Sequence, residues 1–189
     1  RAWELDRTAS ICPNCTQGCN AIIETRDNTV VRMRPRANAD VNDYFLCDAG
    51  RLDYRWMNGP NRLELPQARL DGTLADADWD VALGAAAAAI RGKRSLVLAS
   101  PMLSNEALHL LSRLVRATGG AGAFRVTRGP EAPLPGVKDL ALRAERAANV
   151  TGAEMLGFAK TDTPLAGLQA SDVLVIADHI ILGEAADGF

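Results

Sequence analysis

Two textures of apolar and polar positions divide the chain. From about residue 76 onward, apolar residues recur in blocks that switch between helical and extended spacing. In "DADWDVALGAAAAAIRG", Trp79, Leu83, Ala86, Ala87 and Ile90 fall at helical intervals, with Asp76 or Asp78 to cap the start and Gly92 beyond the end. "SLVLAS" (95–100) is a continuous apolar run of strand length and predicts a buried strand. "SNEALHLLSRLVRATGG" predicts a helix. Ser104 is its N-cap, Glu106 sits near its positive end, and Leu108, Leu111, Leu114 and Val115 share one face before Gly119 and Gly120 stop it. "FRVT" (124–127) predicts a further strand, and residues 128–150 are first Pro-rich and irregular, then charged. "TGAEMLGF" predicts a short helix, and "TPLAGLQA" another with Pro164 in its first turn. "SDVLVIAD" (171–178) is a strand of the parallel type. Such alternation implies a parallel sheet with helices on its faces.

Residues 1–58 follow a different pattern. In "AIIETRDNTVVRMRP", two short runs near Ala21–Thr25 and Thr29–Arg34 flank Arg26-Asp27-Asn28. Asp and Asn both tolerate positive φ, so this predicts a tight hairpin, ended by Pro35. The module is too small to rest on its own apolar core and calls for a staple. The expected organisation is a β-rich module over 1–58, a linker over 59–76 and an α/β domain over 77–189 that is incomplete.

The bulk numbers narrow the field. The 189 residues carry 48% hydrophobic side chains, enough for a sizeable core. The formal net charge is −2, and no block of like charge stands out, which argues against nucleic acid or an anionic membrane as partner. No apolar run approaches the roughly 20 residues of a membrane-spanning helix. The charged start, "RAWELDRTAS", is no signal peptide. The chain does not begin with Met and reads as a segment of a longer protein.

The chemistry is concentrated in "ICPNCTQGCN" and "YFLCDAGR", which give Cys12-x2-Cys15-x3-Cys19-x27-Cys47. Two disulfides fit poorly in a chain without a secretion signal. Structural zinc favours two separated pairs, often with histidine, and neither His109 nor His179 is near. The third reading, a [4Fe–4S] cluster, suits a triplet loop with a fourth thiolate returning from elsewhere. Pro13 and Gly18 keep the loop from becoming a regular helix and let backbone N–H groups face the cluster. The cluster would then be the missing staple. Gly18 and Arg51, the latter four residues after Cys47, are the candidates to support the cluster from behind its ligands. Arg26, Arg32, Arg34 and Arg36 could offset its charge or lie on the solvated side of the hairpin. His109 reads as helix surface, His179 as a position at a strand end, and Trp3 and Trp56 as packing for the small module. "ATGGAGAF" follows a helix and so reads as a helix stop, not a phosphate loop.

"ICPNCTQGCN", "RMRPRAN" and "VNDYFLCDAGR" resemble the iron–sulfur domain that opens the molybdopterin oxidoreductase fold, a superfamily that includes formate dehydrogenases and periplasmic nitrate reductases. Among its members, "WELDRTASICPNCTQGCN", "NDYFLCDAGRLDYRWMN", "ASPMLSNEALHLLSRL" and "LRAERAANVTGAEMLGF" look most like the C-terminal region of the large iron–sulfur subunit of bacterial NADH:quinone oxidoreductase, respiratory complex I. The resemblance implies a partial molybdopterin oxidoreductase-like fold: a small β-rich [4Fe–4S] module followed by a Rossmann-like parallel-sheet domain. It implies one [4Fe–4S] cluster of mainly structural or secondary redox role, and no catalytic residue in this segment. It also implies partners among the other subunits of a membrane-associated complex, no direct membrane insertion, and a peripheral place on the cytoplasmic side of the bacterial inner membrane. Catalytic relatives often carry a lysine two residues after the fourth cysteine, bridging cluster to pterin; here that residue is Ala49. All four cysteines are committed to the cluster, so none remains for a molybdenum or tungsten ion, and no molybdopterin is expected. The alternatives are the N-terminal part of a molybdenum or tungsten enzyme such as a formate dehydrogenase, its cluster relaying electrons from the metal, and a zinc-stapled interaction domain.

Overall fold

The computed structural model describes residues 2–60, 63–70, 72–170 and 172–178. Beyond a 3-10 turn at Ala2–Glu4, strands β1 (Asp6–Ile11), β2 (Asn20–Arg26) and β3 (Thr29–Pro35) form an antiparallel sheet in that order. The predicted hairpin is present: Asp27 and Asn28 take φ of 50° and 59°, the left-handed pair whose twist matches the flanking strands. β1 is not announced by the apolar pattern, because its small and polar side chains are mostly exposed; pairing recruits it, with Asp6 opposite Thr25 through Ile11 opposite Asn20. A short helix α1 (Asp48–Leu52) and a 3-10 turn (Arg55–Asn58) lie along β3. Trp3 and Trp56 do not fill the module, being 75% and 56% exposed; Ala21, Met33, Leu46 and the cysteines do.

The chain continues through a hairpin, β4 (Gln67–Leu70) and β5 (Thr73–Asp76), into α2 (Trp79–Ile90), β6 (Ser95–Ala99), α3 (Asn105–Ala117) and β7 (Ala121–Phe124). A two-residue ladder of β8 (Ala132–Pro133) and β9 (Ala141–Leu142) precedes α4 (Val150–Met155), β10 (Ala159–Lys160) and β11 (Val173–Ala177). The parallel sheet has the order β10-β7-β6-β11. It winds from β6 through β7 to β10 on one side and to β11 on the other, so the C-terminal ends of β6 and β11 flank the reversal, where α/β sheets open a crevice. β6 is buried throughout. Val97, Ala99 and Phe124 pack with Leu108 of α3 and Val150 and Ala153 of α4, and Leu111, Leu114 and Val115 close the edge of this core. The Ser104 hydroxyl accepts the Ala107 N–H at 3.3 Å, the expected N-cap.

Four expectations change. The strand after α3 covers 121–124, not 124–127. It is made by close approach: a Cβ on Gly120 would collide with the Ser95 carbonyl, and one on Gly122 would stand 2.7 Å from the Phe158 ring. "TPLAGLQA" is a pair of separate turns, closed by Ala166 N–H to Thr163 O and Leu168 N–H to Leu165 O, each at 3.0 Å, because no apolar face anchors a longer helix. α2 forms over its predicted span yet buries none of its residues, and Trp79 is 69% exposed. β11 pairs with β6 in parallel as expected, but Leu174 and Ile176 on it remain exposed. His109 lies on the exposed side of α3, as its spacing predicts. His179 lies outside the described residues.

Candidate metal centre

Strand pairing brings the first two parts of the cysteine set together. Cys12 leaves β1 and Cys19 enters β2, and since Ile11 faces Asn20 across the ladder, the two cysteines are neighbours; Cys12 N–H donates to Cys19 O at 2.8 Å. Cys15 stands in the loop between them, closed by Gly18 N–H to Cys15 O at 3.2 Å. Gly18 takes φ of +60°, a conformation that a side chain would strain. Cys47 is the residue before α1, with Arg51 N–H donating to its carbonyl at 3.0 Å. The Asn14 side chain donates to Ala49 O at 2.7 Å and so ties the first loop to α1.

The long return from Cys19 to Cys47 is held by Asn42, which is 2% exposed. Its Oδ1 accepts from Asn20 N–H at 2.9 Å, and its Nδ2 donates to Phe45 O at 3.0 Å and to Arg36 O at 3.3 Å. One amide thus fixes the residue after Cys19 against the residue two before Cys47. Gln17 Nε2 adds a bond to Val41 O at 2.7 Å. Neither residue was signalled by the cysteine spacing; the only hint in the sequence is a polar pair, "ND", directly before an apolar run.

Cys12, Cys15 and Cys19 are buried and Cys47 is half-buried. Burial pushes the Cys12 thiol up to about 11, against a backbone hydrogen bond at Asn14 that lowers it, and the fields of Cys15 and Cys47 add to the rise. Burial likewise pushes Cys19 up to about 12, with Cys12, Cys15 and Cys47 adding. The four thiols therefore share one electrostatic neighbourhood, and ionising them there needs a cation to compensate. Yet among the described residues no three Cys, His, Asp or Glu side chains converge as a single ion requires. A tetrahedral zinc would draw its sulfurs to about 3.8 Å from one another. A cubane takes each thiolate at a different iron and lets the ligands stand wider. The all-thiol donor set fits it too. Gly50 completes the cradle: a Cβ there would lie 3.0 Å from the Cys12 sulfur and 2.8 Å from the Leu46 side chain. Gly50 was missed in the sequence because its role is the absence of a side chain.

The far wall comes from the irregular stretch of the α/β half. Leu140 is buried against Cys12, Cys19 and Leu46, with Leu134 and Val137 beside it. Thr16 N–H donates to Glu145 O at 3.0 Å, and Arg143 Nε donates to Gln17 Oε1 at 2.7 Å. Arg51 lies in a hollow with Arg32 and Arg34 on the outer side of the module. Arg32 and Arg34 pair with Glu24, Arg26 pairs with Glu4 and Asp27, and Arg36 donates to the Asn20 side chain. On another side, a cleft of about 830 Å³ runs from Pro13, Asn14 and Ala49 to Met102 and Asp178 at the ends of β6 and β11. Ala49 lines it, and no lysine does among the described residues.

Residues 5–59 match the molybdopterin oxidoreductase Fe4S4 domain. The chain is similar to the NADH-quinone oxidoreductase G subunit of Pseudomonas putida, 38% identical over 117 residues, which is 62% of this chain and 13% of that protein. It is 34% identical over 122 residues to the corresponding G subunit of Rickettsia felis, covering 63% of this chain and 18% of the relative. The NADH-quinone oxidoreductase subunit 3 of Thermus thermophilus is 38% identical over 82 residues, 43% of this chain and 10% of its own length. The matched stretch is thus a small part of each of these relatives.

Proposed function

We propose that this chain is a segment of the large iron–sulfur subunit of a respiratory NADH-quinone oxidoreductase, and that Cys12, Cys15, Cys19 and Cys47 ligate one [4Fe–4S] cluster in it. One observation carries the reading: three buried cysteines and a half-buried fourth share one neighbourhood inside the stretch that matches an Fe4S4 domain. Such a cluster supplies one-electron redox chemistry and a rigid cross-link. The chain's own contribution is to hold the thiols by Asn42 and Gly18, to leave room through Gly50, and to exclude water through Leu140. The domain division is 1–58, 59–76 and 77–189, the last part a Rossmann-like portion of a molybdopterin oxidoreductase-like fold; the sheet order supports this. The cluster's role is mainly structural, because it staples a module with little core of its own. Among the described residues no helix is long and apolar enough to cross a membrane. By the likeness to the G subunits, its partners are other subunits of the assembly and its place is peripheral, on the cytoplasmic side of the inner membrane. The comparisons do not favour the molybdenum or tungsten alternative.

The deciding experiment is anaerobic purification of the intact assembly, element analysis and EPR after reduction. This site should add about four irons and four sulfides per chain. Stoichiometric molybdenum or tungsten would sink the reading, as would zinc in place of iron. Cys15→Ser should destabilise residues 1–58 far more than it slows NADH oxidation. A stable, assembled Cys15→Ser complex with most of its turnover lost would instead put the cluster on the electron path.

A further inference from the structure

The outer side of the small sheet carries a concentration of positive charge that the cluster site does not use. β3 places Arg32 and Arg34 on one face, and the register sets Glu24 between Arg32 and Arg7. Glu24 is fully buried beneath these side chains. Arg32 Nε donates to its Oε2, while Arg7 and Arg34 approach Oε1 at 3.3 and 3.6 Å without a hydrogen bond to that oxygen. A fourth guanidinium, Arg51 of α1, lines a hollow of about 310 Å³ with Arg32, Arg34, Val31, Met33, Leu52 and Tyr54. Arg51 has no ion pair among the described residues. Three guanidiniums thus surround one carboxylate, and a fourth, Arg51, shares the hollow with two of them, in a chain whose net charge is −2. The floor is rigid: Tyr54 OH donates to Val31 O at 2.6 Å, and the Asn58 side chain exchanges two bonds with the Val30 backbone, at 2.9 and 2.7 Å. Those bonds occupy the edge of β3, so a partner cannot add there as a strand.

We propose that this hollow docks an acidic segment of another polypeptide, with a Glu or Asp side chain taken between Arg34 and Arg51 and an apolar neighbour laid on Leu52. Guanidinium forks recognise carboxylates bidentately, and Arg beside exposed apolar surface is the composition of a protein interface. A bare inorganic anion would make no use of Leu52, which is 66% exposed. The inference does not depend on the cluster reading.

The test is fluorescence anisotropy of a labelled Glu-Leu-Glu-Glu-Leu-Glu peptide with the cluster-loaded full-length protein, at low and at physiological salt. Saturable binding that weakens with salt is expected. It should fall about tenfold or more in Arg34→Glu and in Arg51→Glu, the loss of a charge-assisted bond. The substitutions lie on different elements, and far-UV circular dichroism on each separates lost binding from lost fold. Absence of saturable binding, binding by both folded variants as tight as that of the wild type, or displacement of the peptide by inorganic phosphate or an oligonucleotide at equal concentration would overturn the proposal. Iron content of the same samples tests the cluster separately.

Discussion

Asn42 makes the strongest case for reading this site beyond its cysteines. Among the described residues, its amide is the one side chain that touches both ends of the long return between Cys19 and Cys47. Asn42→Ala leaves the buried Asn20 N–H without its partner, at about 1–3 kcal/mol, and frees the Phe45 carbonyl as well. The expected outcome is a lower iron content per chain and a shifted cluster EPR signal; unchanged values for both would show that the thiols hold their places without it. Residue identity brought the four thiols forward plainly, because thiols at short spacing have few other uses. It could not carry Asn42 or Gly50. A buried amide is visible only through the carbonyls it meets, and a glycine only through the sulfur and leucine it leaves room for. Arg51 shows the converse: close in sequence to Cys47, it opens onto the hollow beside Arg32 and Arg34.

At the scale of elements, periodicity located segments better than faces. α3 was legible in full because its cap, its apolar stripe and its glycine stop all agree. α2 was legible as a helix but not as a surface, since alanine repeats fix helicity without specifying a partner. β7 eluded the pattern because it is built of glycine and alanine chosen for tight backbone approach. The union of β6 with β11 has a charged lock that no apolar pattern reveals. Arg94 Nε donates to Asp172 Oδ1 at 2.9 Å, and Val173 N–H donates to Arg94 O at 2.9 Å. The hydrogen bonds from Arg94 hold the Asp172 carboxyl below its ordinary value of 3.8, against the opposing effect of desolvation. A depressed folded-state pKa gives stability that is complete above the unfolded value and lost as pH falls through the folded one. Denaturation midpoints of the wild type should therefore fall below about pH 4, and Asp172→Asn should be less stable at neutral pH with a flatter acid limb. Parallel acid limbs in the two proteins would assign the loss to other carboxylates.

For the whole molecule, the cluster site is a joint and not merely a staple of one module. Its near wall belongs to residues 12–50, but Leu140 closes the far wall, and Thr16 and Gln17 bond to Glu145 and Arg143 across the same boundary. Reading the sequence as successive modules could not show this, because the closing stretch is Pro-rich and lacks any regular pattern. The excursion is itself anchored: Glu145 accepts from Lys160 and Arg128, which ties the wall to β10 and to the chain leaving β7. Losing the cluster should then loosen two distant stretches together. Hydrogen exchange on Cys15→Ser should show faster exchange at residues 12–47 and also at residues 134–146, while β6, buried on all its residues, keeps its protection. If only residues 12–47 speed up, the excursion rests on its own salt bridges and the cluster does not couple the halves. If β6 loses protection as well, the parallel sheet itself depends on the cluster, and the small module is the foundation of the fold.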